Sequence, residues 1–128
     1  MTQVALSSEF VDRLANDLTL SNPTIEPWLF RNFILSCKVW PYEWGAIMAH
    51  GNDMHIHIFS TWRKRVFLRK PLREVAFFMF ERYAEIKTSI LKSKPDALAF
   101  DLRIGWKLVG EESDRWHLKM KKEDFRYV

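Results

Sequence analysis

Alternating apolar and polar residues predict three strands after residue 53. Residues 54–60 place Met54, Ile56 and Ile58 on one face of a strand and two histidines on the other. This is the period of two that a half-buried strand shows. The same period recurs in two later segments, residues 86–91 and 115–121. A further strand is expected after residue 105, between these two segments.

Two helices are predicted between these strands from their prolines and a glycine. Pro71 suits the start of a helix because its missing N–H would be unpaired there anyway, and residues 71–84 are apolar on nearly all sides. Residues 95–105 begin at a second proline and end at Gly105, which tolerates the positive φ found just past a helix. Because strands joined through a helix are usually parallel, we expect the strands flanking the first helix to run parallel.

The first half of the chain is predicted to contain a helix, then a short helix or irregular segment at residues 25–30, and an antiparallel meander whose third strand is the one at residues 54–60. Ser7 or Ser8 offers an N-cap, and Phe10, Leu14 and Leu18 recur at the spacing of one helix face. Three strands are expected around this helix, at residues 2–6, 32–40 and 44–50. The last two are expected to be joined by a turn at residues 41–43.

These elements predict an α/β (α+β) fold with a mixed, mainly antiparallel sheet flanked by helices on both faces. At 128 residues the chain is most simply one domain spanning 1–128. Cys37 is the only cysteine, so an intrachain disulfide and a thiol zinc site are excluded. No run of about eighteen apolar residues and no leading signal segment are present, which predicts a cytoplasmic protein without membrane contact.

The net charge of +4 permits an anionic partner without requiring one. Six basic residues cluster before and just inside the predicted helix at 71–84: Arg63, Lys64, Arg65, Arg69, Lys70 and Arg73. A helix N-terminus can hold phosphate through its backbone N–H groups and dipole. Trp62 and Phe67 lie within the same stretch, so nucleic-acid binding is an alternative. A solvated basic loop is favoured over nucleic-acid binding because acidic residues elsewhere keep the net charge low.

Two further groups of residues invite functional interpretations. His55 and His57 share a strand face with Asp53, but no additional metal ligand is evident, so ordinary polar strand positions are favoured over a metal site. The chain has six tryptophans, and those that remain exposed would mark a protein interface. Trp40 and Trp44, around the predicted hairpin turn, are the expected interface. The sequence leaves the oligomeric state open.

Residues 94–111 resemble the penultimate helix and following strand of the GNAT superfamily of acyl-CoA-dependent N-acetyltransferases. The family has Asn, then Ala, then Tyr, a basic and an apolar residue, Gly-Phe and a second Gly. The matching positions here are Ala97, Arg103, Ile104, Gly105, Trp106 and Gly110. The order of the predicted elements also resembles this family. The resemblance implies a GNAT-like fold and an acyl-transfer reaction that uses acetyl-CoA.

The resemblance also implies site residues. The strand at 54–60 would pair with pantetheine through Ile58, Phe59 and Ser60, and its backbone N–H groups would stabilise an oxyanion. Pyrophosphate would lie at the start of the next helix, against Arg69, Lys70, Leu72 and Arg73. Two residues are candidate general bases, His57 and Glu43. His57 is preferred because an imidazole titrates near neutral pH.

The sequence departs from the family at two functional positions. The family's acyl-CoA loop resembles Arg/Gln-x-x-Gly-x-Gly/Ala, but residues 63–73 contain no glycine. Asp101 stands where many members have a tyrosine that acts as general acid, and a carboxyl can do this near neutral pH only with a strongly raised pKa. A GNAT-like domain with such an eroded loop also resembles small bacteriophage head-assembly or internal virion proteins. In that case the location would be the host cytoplasm or the virion.

Overall fold

The structure is a computed structural model that describes residues 3–127, which form four α-helices and six β-strands. The helices are α1 (Ser8–Ser21), α2 (Pro27–Ser36), α3 (Arg69–Phe80) and α4 (Pro95–Ile104). The strands are β1 (Lys38–Tyr42), β2 (Gly45–His50), β3 (Asp53–Ile58), β4 (Glu85–Leu91), β5 (Lys107–Glu111) and β6 (Arg115–Lys121).

The strands follow the order β1-β2-β3-β4-β6-β5 in one sheet. The β3–β4 pair is parallel, whereas the β1–β2, β4–β6 and β5–β6 pairs are antiparallel. The predicted α/β (α+β) fold with a mixed, mainly antiparallel sheet is therefore confirmed. The longest helix has 14 residues, and none in the described chain combines the length and apolar character that a membrane span requires.

The chain divides into two compact units. The first extends through Gly51 and includes Ile56–Leu68, and the second comprises Asn52–His55 and the residues from Arg69 onward. The expectation of one domain over 1–128 stays a prediction.

The first unit is built on α1, which starts at the predicted N-cap. The Ser7 hydroxyl accepts a hydrogen bond from the Phe10 N–H at 3.1 Å, which satisfies one of the unpaired donors at the helix start. The apolar face of α1 is buried with residues of α2, β1, β2 and the segment after β3 in a single cluster. Its buried members are Phe10, Val11, Leu14, Ala15, Ile34, Val39, Ala46, Met48 and Phe59.

The predicted strand at residues 32–40 is wrong over most of its length, because α2 covers Pro27–Ser36. Pro27 occupies the first turn, where a proline costs no hydrogen bond. The apolar residues of this segment fit a helical period as well as they fit alternation. Ile34 is buried, Phe30 and Phe33 pack partly against the core, and Leu35 faces solvent.

The hairpin after α2 also differs from the prediction. Pro41 and Tyr42 belong to β1 and pair with Ala46 and Gly45, so the turn is formed by Glu43-Trp44 instead of residues 41–43. The predicted strand at residues 2–6 is reduced to a single bridge between Gln3 and Tyr42. Thr2 lies outside the described residues.

The predicted interface at Trp40 and Trp44 is wrong because both side chains are buried. Trp40 is 8% exposed and Trp44 is 0% exposed. Trp44 stacks on Tyr42, with ring centroids 4.9 Å apart. Trp28, on α2, is instead the tryptophan that faces solvent, at 60% exposure. Both strands of this hairpin are almost fully buried. Their sequences therefore do not show which side chains would face solvent.

The second unit begins with the parallel pairing of β3 and β4 at Asp53 and Lys87. The Lys87 N–H donates to the Asn52 carbonyl at 2.9 Å, and the Thr88 hydroxyl donates to the Met54 carbonyl at 2.7 Å. Helices α3 and α4 both contact β4. The buried apolar residues of this unit include Leu72, Val75, Met79, Ile86, Ile90, Ile104, Trp106, Leu118 and Met120.

Helix α3 is displaced from its predicted bounds of 71–84. It begins at Arg69 and ends at Phe80. Pro71 is its third residue, still within the first turn, where a missing N–H is tolerated. After Phe80 the chain forms a turn in which the N–H groups of Arg82 and Tyr83 both donate to the Met79 carbonyl, at 3.0 and 2.9 Å. Helix α4 matches its prediction, with Gly105 at φ 121° as its C-cap.

Candidate functional site

The last residues of β3 do not follow the predicted alternation, in which the isoleucines face the core and the histidines face away. At this end of the strand the face that carries His57 is the buried one. His57 is 7% exposed, whereas Ile58 is 42% exposed. The prediction that Ile58 points to the core is therefore wrong. A buried imidazole needs a polar partner, and the structure supplies one from α1.

Asp17 of α1 forms a hydrogen-bonded cluster with His57 and Ser60. The His57 Nε2 lies 2.5 Å from Asp17 Oδ2, and the same oxygen accepts from the Ser60 N–H at 3.0 Å. The Ser60 hydroxyl donates to Asp17 Oδ1 at 2.7 Å. The side chains of His57 and Asp17 are only 8% and 11% exposed. We call these three residues the Asp17 cluster.

The environment of Asp17 keeps it ionised. Burial alone would raise the pKa of this carboxyl, but hydrogen bonds from Ser60 and His57 and the charge of His57 more than offset burial and lower the pKa. An ionised carboxylate only accepts hydrogen bonds, so His57 Nε2 carries the proton that faces it.

Aromatic and backbone contacts fix the position of this histidine. The His57 ring lies edge-on to Phe59, with centroids 6.3 Å apart, and Phe10 of α1 packs edge-on against the same Phe59 at 5.7 Å. The Arg13 guanidinium lies 3.9 Å from the Phe59 ring centroid. The Phe59 N–H donates to the Trp44 carbonyl at 2.8 Å. The imidazole is thus positioned by α1 and by the turn between β1 and β2 as well as by its own strand.

Gly45, at the start of β2, allows the close approach of β2 to His57. A Cβ at this position would collide with the backbone carbonyl of His57 and crowd Ile58 Cα. Gly45 also has φ +150°, which L side chains rarely adopt. Only glycine fits here without moving the backbone that carries the histidine.

The second predicted base, Glu43, is not in the Asp17 cluster. It is exposed in the turn between β1 and β2. Its carboxylate makes no hydrogen bond or ion pair with any residue of the described chain. Its role as a base stays a prediction.

The predicted acyl-CoA residues lie in two places. In the first unit, Ile58 and Ser60 are exposed, whereas Phe59 is 1% exposed and belongs to the core. In the second unit, Arg69, Lys70 and Arg73 are exposed in the first turns of α3, whereas Leu72 is buried. Leu72 can therefore contribute only backbone groups to a ligand. Binding of acyl-CoA by these residues stays a prediction.

At the start of α3 an anion would be bound by cationic side chains more than by backbone N–H groups. Arg69 lies over the Tyr127 ring at 5.4 Å and Arg73 over the Phe77 ring at 5.7 Å, while Lys70 makes no ion pair within residues 3–127. Pro71 removes one N–H from this turn. An anionic polyphosphate would fit these exposed cations by charge, and the α3 N-terminus would supply fewer backbone donors than a glycine-rich loop does.

Asp101, at the position where the family that the sequence resembles has tyrosine, is partly buried on α4. Burial raises the pKa of this carboxyl to about 7. No described residue forms an ion pair or side-chain hydrogen bond with it. Near neutral pH Asp101 therefore exchanges a proton readily, which an ordinary aspartate does not do.

Replacing Asp101 by Asn is expected to stabilise the protein above neutral pH. The unfolded carboxyl titrates near 3.8 and the folded one at about 7, so the folded state binds more protons between these values and wild-type stability falls as pH rises through them. Asp101→Asn removes that fall and should gain about 2 kcal/mol at pH 8, allowing for partial exposure, and little at pH 4.

Urea unfolding at both pH values measures this difference. Asp96→Asn, at an exposed position on the same helix, is the matched control for the replacement of an aspartate by asparagine. A gain by Asp101→Asn that is equal at pH 4 and pH 8 would contradict the raised pKa.

No group of three or more histidine, cysteine or carboxylate side chains within residues 3–127 is arranged to hold a metal ion. His57 is instead committed to Asp17. Asp17 is the member of the Asp17 cluster that the sequence did not point to. Its signal was weak, because it lies three positions after buried Leu14 on the edge of the α1 apolar face and its partner is 40 residues away.

Comparisons with known proteins agree with this fold. No protein-family model matches the sequence, and no curated protein matches it. Among solved structures, the chain is similar to the crystal structure of a GNAT-family acetyltransferase from Bacillus cereus ATCC 10987. The two share 13% sequence identity, with a TM-score of 0.61 over 94% of this chain and 95% of that one. The resemblance to bacteriophage assembly proteins gains no support and stays a prediction. The chain therefore has a GNAT-like fold, as its residues 94–111 led us to expect.

Proposed function

We propose that this chain is an acyl-CoA-dependent N-acyltransferase in which His57 is the general base. The observation that carries the proposal is the pairing of buried His57 with the ionised Asp17. A carboxylate behind an imidazole fixes its tautomer and stabilises the imidazolium that forms when it accepts a proton. The GNAT-like fold supports acyl transfer as the reaction class.

In the proposed reaction His57 takes a proton from the ammonium group of the acceptor. The resulting amine has a free electron pair, which forms the C–N bond to the acyl carbon as the C–S bond of the thioester breaks. The nitrogen then loses a second proton to solvent, which leaves a neutral amide. Asp17 holds the positive charge that His57 gains, because opposite charges at this distance attract strongly in a buried site. The acyl-CoA is a substrate here and leaves as the thiol.

Asp101 is proposed as the acid that gives a proton to the departing thiolate. It stands at the family's tyrosine position, and its pKa of about 7 leaves a substantial protonated fraction at neutral pH. An aspartate in water would be protonated to less than about 0.1% at that pH. The substitution of Asp for Tyr is thus compatible with the same role.

Arg69 and Lys70 are proposed to hold the phosphates of the acyl donor by charge. Both are exposed in the first turn of α3. Cationic side chains compensate in this proposal for the glycines that residues 63–73 lack.

Calorimetric titration with acetyl-CoA tests this role. We expect micromolar binding by the wild type and at least about tenfold weaker binding by Arg69→Ala/Lys70→Ala. Lys122→Ala/Arg126→Ala is a matched control, since it removes the same two residue types from exposed positions of the same unit. If both double variants bound acetyl-CoA equally weakly, the effect would come from the overall charge of the chain. That result would contradict the proposed role of Arg69 and Lys70.

A second candidate is a GNAT-fold protein without catalysis that acts through protein contacts, as in a bacteriophage particle or its assembly. The glycine-free segment and Pro71 in the first turn of α3 favour this candidate. It predicts no acetyl-CoA binding even at millimolar concentration, so the same titration separates the two candidates.

A further inference from the structure

Two arginines flank the Asp17 cluster. The Arg13 guanidinium lies over the Phe59 ring, 3.9 Å from the ring centroid. Arg63 Nη1 donates to the Ser60 carbonyl at 2.5 Å. Ser60 belongs to the cluster, and the Phe59 ring lies edge-on to the histidine of the cluster. Consecutive residues of the chain therefore hold both guanidinium groups beside the proposed base.

Neither arginine forms an ion pair with any residue of the described chain. Three carboxylates lie within four residues of Arg13 on α1, but none of them is its partner. Asp12 pairs with an arginine of α2 at 2.8 Å, both oxygens of Asp17 accept hydrogen bonds within the cluster, and Glu9 makes no ion pair. The hydrogen bonds of Arg63 go from Nη1 to backbone carbonyls. Both guanidinium charges are thus available to an external anion.

The charges along α1 run from positive to negative toward His57. Arg13 and Asp17 lie four residues apart on this helix, so their side chains share one face, with Cβ atoms about 5–6 Å apart. Asp17 is ionised and contacts His57, which would take a proton from an acceptor amine within about 2.6–3.2 Å. An ammonium group near His57 would be attracted by Asp17, and an anionic group a few bonds away would reach Arg13. This order of charges fits a zwitterion.

We propose that the acyl acceptor is a small amine that also carries an oxyanion, either a carboxylate or a phosphate, and that Arg13 and Arg63 bind this oxyanion. A guanidinium presents its N–H donors as a planar fork that matches both groups. The inference rests on the proposed function, because it names the acceptor of the same site. It concerns only residues of the first unit.

Acetyl transfer to two matched pairs of amines tests the inference. The pairs are L-alanine with L-alaninamide and phosphoethanolamine with ethanolamine, and the members of each pair differ in the negative charge. We expect kcat/KM to be at least about tenfold higher for the anionic member of one pair, because hydrogen bonds to a charged group contribute this much. The pair with the larger ratio identifies the oxyanion. Equal values within both pairs, or a preference for the uncharged amines, would overturn the inference.

The two arginines are tested by replacing each of them with glutamine. Arg13→Gln and Arg63→Gln should each raise KM for the preferred anionic amine at least about tenfold and leave kcat within about twofold, since contacts made equally in the ground and transition states change KM alone. KM for the uncharged amine of the same pair should not change. A variant that lowers stability but leaves KM for the anionic amine unchanged would limit Arg13 to covering Phe59 and overturn its role.

Arg82→Gln is the matched control for the loss of a stacked arginine. The Arg82 guanidinium lies over the Phe78 ring at 3.6 Å, and this residue belongs to the second unit. The control removes the same charge and a similar stacking contact, and it should leave KM for both amines unchanged. Equal rises in KM for all three variants would come from the overall charge of the chain and would contradict a binding site at Arg13 and Arg63.

Calorimetric titration with the same four amines, without acetyl-CoA, separates this inference from the proposed function. Transfer without any preference for the anionic amines would overturn the anionic acceptor and leave the N-acyltransferase standing. Binding of an anionic amine that Arg13→Gln weakens, without transfer to any amine, would overturn acyl transfer and keep the oxyanion site. The absence of both transfer and binding would overturn both proposals.

Discussion

Replacing Gly45 by Ala is expected to lower the free energy of unfolding by about 4 kcal/mol, one of the two largest single-residue effects that we predict. The added Cβ would collide with the His57 carbonyl, and the backbone angle of +150° is one that alanine rarely adopts. Relief requires β2 and β3 to separate where the Asp17 cluster is anchored. Urea unfolding of the purified variant measures the loss.

Two other glycines provide matched controls for the same substitution. Gly110 has open space around it and no positive φ, so Gly110→Ala should be within about 0.5 kcal/mol of the wild type. Gly51 also has open space but φ +57°, so Gly51→Ala should cost about 1 kcal/mol from backbone strain alone. If Gly45→Ala lowers the free energy of unfolding no more than Gly51→Ala does, this result would contradict the close contact between Gly45 and the His57 carbonyl.

The second large effect is expected from Asp17→Asn, which should cost about 3 kcal/mol. The variant keeps the side-chain size but removes the carboxylate that accepts from His57 and twice from Ser60. Breaking a buried ion pair from one side leaves the partner desolvated and unpaired. Asp12→Asn is the control on the same helix: Asp12 pairs with Arg31 at 2.8 Å but is 56% exposed, and its loss should cost under about 1 kcal/mol. Equal losses of unfolding free energy in Asp17→Asn and Asp12→Asn would contradict the burial of the Asp17 cluster.

The cost of Asp17→Asn should also depend on pH. The folded pKa of Asp17 lies below its unfolded value of 3.8, chiefly because its hydrogen bonds to Ser60 and His57 outweigh burial. Its stabilising contribution is therefore fully present above about pH 4 and is lost as pH falls through the folded pKa. The difference between wild type and variant should narrow steadily in acid. A difference that stays constant down to pH 2 would contradict a lowered pKa.

The sequence correctly predicted the elements whose ends are marked by a clear capping residue or whose apolar residues alternate regularly. Ser7 caps α1, Gly105 ends α4, and β6 covers the predicted residues 115–121. Helix α2 was predicted only in part, as a short helix or irregular segment at residues 25–30. Its later residues were taken for a strand because apolar residues there suit either period, and packing against α1 favours the helix. Sequence patterns of a few residues cannot report that packing.

The candidate site was only half predictable for a related reason. His57 could be singled out because imidazole has the right chemistry and lies on a predicted strand. Its partner Asp17 lies 40 positions earlier, and no spacing rule links a helix carboxylate to a strand that it meets only after folding. The raised pKa of Asp101 is likewise a product of burial, which the sequence did not indicate. The site therefore depends on long-range contacts more than the fold does.

The most direct test of the proposed function is acetyl transfer from labelled acetyl-CoA to a panel of primary amines, comprising amino acids, polyamines and lysine peptides. We expect an acetylated product with the wild type and a rate about a hundredfold lower with His57→Gln, since loss of a general base typically costs this much or more. Circular dichroism would verify that the variant is folded. Transfer by folded His57→Gln at the wild-type rate, or no transfer to any amine by the wild type, would contradict the assignment of His57 as the base of an N-acyltransferase.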